Sequence, residues 1–314
     1  MSFAFLFPGQ GSQSVGMLDS FSNEPVVTET FSEASELLGQ DMWTLAHEGP
    51  EDELAQTVNT QPLMLIADIA IYRAWVERGG PTPSVLAGHS LGEYAALVVA
   101  GSLQFADAVP LVRLRARLMQ EAVPIGTGAM AAVLGLGDED IQVACNNAMA
   151  AGGVAEAANF NAPGQVVIAG DKATVERAVE EAKVLGAKRA MLLAMSAPSH
   201  CSLIKNAANE YAELLSDTTI TEPGITVIHN EDVSEASTPD KIKLRLTRQL
   251  YRPVRWVETM EAIINLGVMR GAECGPGKVL SGLGKRIDKS FDMSSLASVE
   301  SMDSCITEYQ GVQS

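Results

Sequence analysis

Val85-Leu86-Ala87-Gly88-His89-Ser90-Leu91-Gly92-Glu93-Tyr94-Ala95-Ala96-Leu97-Val98-Val99-Ala100 passes from a short apolar run through Gly-x-Ser-x-Gly into a second apolar run. The order reads as strand, sharp turn, helix, the arrangement of a nucleophile elbow. Gly88 and Gly92 lack the side chains that such a turn would crowd, so Ser90 can stand exposed above a helix N-terminus. An oxyanion formed there would meet backbone N–H groups. The same spacing also suits a serine that merely caps a helix after a strand, so the rest of the chain has to decide.

Upstream, residues 3–7 form another continuous apolar run, ended by Pro8-Gly9-Gln10-Gly11-Ser12-Gln13. A run bounded by turn residues suits a buried strand of a parallel sheet. The turn is glycine-rich but lacks the Gly-Lys-Ser/Thr ending of a phosphate loop. Residues 26–38 read as an amphipathic helix closed by Gly39. Pro62 opens a helix over 63–75 that is apolar on nearly every face and therefore buried beside the sheet. Gly79 and Gly80 end it, and the elbow strand completes a right-handed strand-helix-strand unit. Asp107 reads as the N-cap of a helix to about residue 123, with Pro110 in its opening turn.

The texture changes between residues 124 and 195. Strands over 130–136, 154–160, 165–169 and 189–193 alternate with helices over 138–149 and 173–185, giving the order βαββαβ. That is the ferredoxin-like arrangement, a unit able to satisfy its own layers. It splits a larger α/β domain, expected to comprise residues 1–123 and 196–314. The second part holds Ser196-Ala197-Pro198-Ser199-His200-Cys201, a helix to about 215, a strand over 225–228, helices over 239–250 and 256–266, and a strand ending at 271–273. Gly275-Pro276-Gly277-Lys278 then turns into a last helix. Repeated strand-turn-helix units imply a mostly parallel sheet with ligand chemistry at its carboxyl edge.

The 314 residues are 46% hydrophobic and 19% charged, an ordinary enzyme-sized composition. A formal charge of -17 argues against nucleic acid or an anionic membrane as the main partner. Cys145, Cys201, Cys274 and Cys305 lack zinc-site or disulfide spacing, so buried thiols and no metal are expected. The opening Met1-Ser2-Phe3-Ala4-Phe5-Leu6-Phe7-Pro8 has no basic flank and breaks at proline, unlike a signal peptide, which points to the cytoplasm.

A nucleophilic Ser90 needs a base, and the chain has four histidines. His89 neighbours the serine on a strand and points to the opposite face. His47 suits a solvated helix end, and His229 follows a buried strand. His200, in a Pro-Ser-His turn after the inserted unit, is best placed to hang over a cleft. No Asp or Glu stands out as a third triad member, and a backbone carbonyl could orient the base instead. At 100° per residue, Arg115 falls at the centre of the apolar stripe of its helix, with Ala108, Leu111, Val112, Leu118, Met119 and Ala122. An inward guanidinium needs an anion, either a structural carboxylate or a negatively charged ligand.

Several separated stretches together resemble one family, the malonyl-coenzyme A:acyl-carrier-protein transacylases, related to polyketide synthase acyltransferase domains. They are Phe7-Pro8-Gly9-Gln10-Gly11-Ser12-Gln13, Gly88-His89-Ser90-Leu91-Gly92-Glu93-Tyr94, the Arg115 helix ending Met119-Gln120-Glu121, Asn161-Ala162-Pro163-Gly164-Gln165, Pro198-Ser199-His200, Arg248-Gln249-Leu250-Tyr251 and Gly275-Pro276-Gly277-Lys278. The resemblance implies a large α/β hydrolase-like domain split by the ferredoxin-like one. It implies Ser90 as nucleophile, His200 as base, and the Gln10 and Leu91 N–H groups as oxyanion hole. Arg115 would clamp the malonyl carboxylate, and Gln249 would lie beside the histidine with its carbonyl orienting the ring. Malonyl-CoA is then a substrate, no cofactor is needed, the second substrate is an acyl carrier protein, and a monomer is expected. Carrier proteins are acidic, as this chain is, so Lys188, Arg189, Lys285 and Arg286 are expected to form a local basic rim. An esterase or thioesterase using the same pair is the first rival; it would not need Arg115. A non-catalytic acyl-ligand binding protein is the second.

Overall fold

The computed structural model describes residues 2–194 and 197–311; the expected junction at residues 195–196 lies outside them. Its strands, in chain order, are β1 Ala4–Phe7, β2 Val85–Gly88, β3 Gly128–Leu134, β4 Ala155–Ala162, β5 Gln165–Asp171, β6 Arg189–Leu192, β7 Thr226–Ile228, β8 Arg270–Glu273 and β9 Asp292–Ser295.

Five of them form a parallel sheet in the order β7-β2-β1-β8-β9. Its central strands are buried on both faces, which explains why they read as unbroken apolar runs. On β1 and the residue before it the two faces divide strictly: Phe3, Phe5 and Phe7 join one hydrophobic cluster, and Ala4 and Leu6 join another. Register sets the site. Phe7 pairs with Gly88, and Ala87 pairs with Ile228, so β1, β2 and β7 end together at the carboxyl edge. The Pro8–Gln13 turn, the serine elbow and the segment starting at His229 therefore emerge side by side.

The second sheet is antiparallel, ordered β4-β5-β3-β6, and its chain order with two helices is βαββαβ as expected. One face packs on the helices Asp138–Met149 and Lys172–Val184. The other presents Met130, Ala158, Val167 and Ala169 toward Cys201, with Leu193 and Leu203 packed against them. Backbone hydrogen bonds between Val254 and both Ala158 and Phe160 tie β4 to the larger part.

Four local expectations change. The buried helix begins at Thr57, not Pro62, and runs to Glu77 with the proline inside. Its first turns carry Thr57, Asn59, Thr60 and Gln61, all buried; a polar run that lines a site looks like a loop to any reading based on apolar periodicity. The Arg115 helix spans Phe105–Glu121 with Gln104 at its N-cap, so Asp107 is a first-turn acid and Pro110 lies beyond that turn. Pro110 and Ala106, whose carbonyl it leaves unbonded, are both exposed, so solvent can satisfy the freed group. Strand β4 runs through Asn161 to Ala162, leaving only Pro163-Gly164 as the turn, with Gly164 at φ 70°. The helix Val279–Ile287 is not the last: β9 and the helix Val299–Gly311 follow, the strand too short and polar to stand out. Among the described residues no helix is long and apolar enough to cross a membrane.

Candidate active site

The elbow is as tight as its glycines imply. A Cβ at Gly88 would lie 1.9 Å from the Gly92 carbonyl carbon, and one at Gly92 would lie 2.0 Å from the Phe7 oxygen. Ser90 itself sits at φ 50°, a left-handed conformation that costs a non-glycine residue roughly 1 kcal/mol or more. Asn230 holds it there. Its Oδ1 accepts from the Ser90 N–H at 2.7 Å, and its Nδ2 donates to the Gly88 carbonyl at 2.8 Å.

His200 reaches Ser90 from 110 residues downstream, with Nε2 2.8 Å from Oγ. Its Nδ1 lies 2.7 Å from the Gln249 backbone oxygen. A carbonyl can only accept, so Nδ1 carries the proton and the Nε2 lone pair faces the serine. The orienting group is thus a carbonyl, and among the described residues no acid bonds the imidazole. Burial first, then the Arg115 charge, push the imidazole down to about 3, which keeps it neutral. His200 also has positive φ, 62°, in a backbone held by its N–H bond to the Leu250 carbonyl.

Arg115 is 1% exposed, and its hydrogen-bond partners among the described residues are all neutral. Nη1 donates to Gln61 Oε1 at 2.6 Å, and Nη2 donates to Gln249 Oε1 at 2.8 Å and to Ser90 Oγ at 3.1 Å. It makes no salt bridge among the described residues. Among the described residues the anion demanded by an inward arginine is therefore not a structural carboxylate within contact, and the charge stands beside the Ser90 hydroxyl.

Gly9 packs onto the elbow: a Cβ there would meet the His89 oxygen at 2.5 Å and the Leu91 nitrogen at 3.6 Å. This brings the backbone around Gln10 against Leu91, while the Gln10 side chain turns to Thr57 Oγ1 at 3.3 Å. Gln10, Ser90, Leu91, Arg115 and His200 line one cavity of about 370 Å³, whose opposite wall is Met130, Asn159, Asn161, Gln165, Val167 and Leu193. The cleft thus lies between the two sheets.

The remaining histidines serve elsewhere. His89 meets Asn161 Oδ1 at 2.8 Å, His47 meets Asp19 at 2.8 Å, and His229 meets Glu93 at 2.7 Å. Cys201 is buried, its thiol pushed up to about 12 by burial, so it is no nucleophile. Lys188, Arg189, Lys285 and Arg286 are exposed. Arg286 donates to Gln165 Oε1 at 2.5 Å, and Leu134 pairs with Gln165 on one side and Arg189 on the other. The two basic pairs therefore share one end of the small sheet, next to a residue of the cleft.

Sequence reading missed Gln61, Glu93, Asn161 and Asn230. Asn230 had a signal, a carboxamide just beyond the carboxyl end of a parallel strand. Glu93 had another, a lone charge at the head of an apolar helix, the reasoning already applied to Arg115.

The sequence profile of the acyl transferase domain matches residues 4–308. The chain is 53% identical over 295 residues to a malonyl CoA-acyl carrier protein transacylase of Escherichia coli strain K12, covering 94% of this chain and 95% of that protein. Against the protein of the same description from Bacillus subtilis strain 168 it is 43% identical over 304 residues, 96% of each. The crystal structure of an acyl-carrier-protein S-malonyltransferase from Burkholderia pseudomallei 1710b superposes with TM-score 0.96 at 54% identity, covering 98% of this chain and 100% of that one. A malonyl-transacylase solved in complex with its type II polyketide synthase acyl-carrier protein matches with TM-score 0.96 at 48% identity, with coverage of 98% and 100%.

Proposed function

The chain belongs to the malonyl-CoA:acyl-carrier-protein transacylases of the acyl transferase domain family, and we propose that it moves a malonyl group through an ester on Ser90. Malonyl-CoA is the donor, the phosphopantetheine thiol of an acyl carrier protein is the acceptor, and the product feeds fatty acid chain elongation. One observation carries the site assignment: a buried guanidinium whose hydrogen bonds among the described residues all go to neutral oxygens, one of them the Ser90 hydroxyl at 3.1 Å. A malonyl thioester brings the missing carboxylate, and a dry bidentate contact is worth far more than one at a wet surface.

The chemistry follows from the geometry. His200 Nε2 takes the Ser90 proton as Oγ attacks the thioester carbonyl, and the Gln249 carbonyl steadies the imidazolium that forms. The Gln10 and Leu91 N–H groups hold the tetrahedral oxyanion. Collapse expels coenzyme A, whose sulfur receives the proton from His200. The carrier thiol then gives its proton to the same nitrogen and attacks the malonyl ester, and as the second tetrahedral intermediate collapses Ser90 Oγ leaves and takes that proton back from His200. Every proton and bond is accounted for by these groups, so no cofactor is required. Gln249 acts twice in this scheme, with its carbonyl on the base and its Oε1 on the arginine that binds substrate.

We assign residues 1–123 and 196–314 to the catalytic domain and 124–195 to the unit that forms the far wall of the cleft. Lys188, Arg189, Lys285 and Arg286 form the rim that receives the acidic carrier; their shared end of the small sheet, beside Gln165, supports this. A cytoplasmic location fits the four free, buried cysteines.

Intact mass after exposure to malonyl-CoA tests the assignment. Wild type should carry one malonyl group, Ser90→Ala none, and Arg115→Ala should shift toward acetyl when both thioesters compete. Rapid release of malonate in water without a lasting adduct would favour a hydrolase, and an unchanged malonyl preference in Arg115→Ala would remove the clamp.

A further inference from the structure

Glu93 lies at the head of the elbow helix Gly92–Val99, with no exposed surface, and it is not part of the scheme above. Three N–H groups from two distant segments converge on its carboxylate. Oε1 meets His229 Nδ1 at 2.7 Å; Oε2 accepts from the Asn230 N–H at 2.9 Å and from Gln249 Nε2 at 2.8 Å. Two of these donors belong to residues that hold the reacting groups. Asn230 fixes the Ser90 N–H, and Gln249 fixes both His200 and Arg115.

The consequence lies in the polarity of the Gln249 carboxamide. An amide can present either end, and the two ends differ by little in shape. At this site one end faces Glu93 Oε2 and the Ser90 carbonyl, which lies 3.0 Å from Nε2, and both are acceptors. The NH2 must take that end. The oxygen is then turned to Arg115, whose guanidinium can only donate. A flipped amide would oppose oxygen to two acceptors and NH2 to a cation.

We propose that Glu93 is a positioning residue for substrate selection: through the Gln249 amide it holds Arg115 in the geometry that distinguishes a malonyl from an acetyl thioester. The proposal rests on Arg115 being the clamp for the malonyl carboxylate. It predicts that loss of the acceptor at position 93 weakens discrimination between the two thioesters, beyond any general loss of folded enzyme.

The readout is the ratio of kcat/KM for malonyl-CoA to that for acetyl-CoA in full-length enzyme. Unfolding lowers both values in proportion and leaves the ratio alone. In Glu93→Gln, one oxygen can still serve Gln249 and Asn230, but the charge is gone and the new NH2 faces His229 Nδ1. The ratio should fall about threefold to tenfold, the effect of replacing charge-assisted with neutral hydrogen bonds. In Glu93→Met no acceptor remains at position 93 and the Gln249 NH2 keeps only the Ser90 carbonyl, so the ratio should fall at least about thirtyfold, mainly through a higher KM for malonyl-CoA. If circular dichroism shows that the methionine variant does not fold, the glutamine variant decides. A wild-type ratio in either folded variant overturns the proposal. Arg115→Ala serves as the separate control: an unchanged ratio there strikes the clamp itself, not Glu93.

Discussion

His200 offers a test that needs no substrate. Its imidazole is pushed from 6.5 down to about 3 by burial and by Arg115, so over most of the acidic range the folded chain leaves it neutral while the unfolded chain protonates it. Between those values the unfolded state binds the extra proton, and stability falls as pH falls. The contribution is fully present above pH 6.5 and drains away toward pH 3. Each unit corresponds to ~1.4 kcal/mol, so this one residue should remove about 1.4 kcal/mol at pH 5.5 and about 2 kcal/mol at pH 5. Two buried acids work in the opposite sense. Asp68 and Glu273 are raised, chiefly by burial, so the folded chain takes up their protons first and gains stability as pH falls. They are common to wild type and to His200→Ala and cancel in the difference. Urea denaturation at constant ionic strength from pH 8 to pH 5, on both proteins, gives that difference. It should be level above about pH 7 and slope by nearly one proton below pH 6. A level difference across the whole range would refute the reasoning. Acylation of Ser90 by malonyl-CoA supplies an independent reading: its rate should hold steady down to pH 5, and a fall centred near 6.5 would place the base in the ordinary histidine range.

Gly9→Ala should lower kcat for malonyl transfer by about a hundredfold to a thousandfold, because its Cβ would lie 2.5 Å from the His89 oxygen and the loop must move its N–H groups off the oxyanion. An unchanged kcat would remove this loop from the oxyanion site. Replacing Lys188 and Arg189, or Lys285 and Arg286, by glutamate should raise the apparent KM for the carrier while leaving malonyl loading from coenzyme A intact; steady-state kinetics with each substrate varied separates the two. Asp68 is fully buried with neither oxygen hydrogen-bonded among the described residues, so Asp68→Asn should be more stable than wild type at pH 7 by about 1 kcal/mol or more, the advantage shrinking toward pH 4 in thermal melts.

Much of this molecule was legible in its residues because the relevant signals are local. Gly88 and Gly92 announce the elbow since no side chain fits there, and the alternation of short strands with amphipathic helices announces the βαββαβ unit. Arg115 stood out because a guanidinium on an apolar stripe is costly anywhere. Local signals failed where a buried segment is polar for a functional reason. Residues 57–61 look like a loop, yet Gln61 and Thr57 there hold Arg115 and the Gln10 side chain.

By itself the sequence determined that a strained serine precedes a helix on a parallel sheet, that a small domain interrupts that sheet, and that one arginine points inward. Only the tertiary structure decided what the arginine meets, which histidine reaches the serine and what orients it. The reason is distance along the chain: His200 is 110 residues from Ser90, and the Gln249 amide that bonds the Ser90 carbonyl is 159 residues away. Hydrogen-bond polarity across such separations leaves no periodicity to read. The choice between a carboxylate and a ligand as the partner of Arg115 belonged to packing, and packing left the cation facing neutral oxygens beside Ser90.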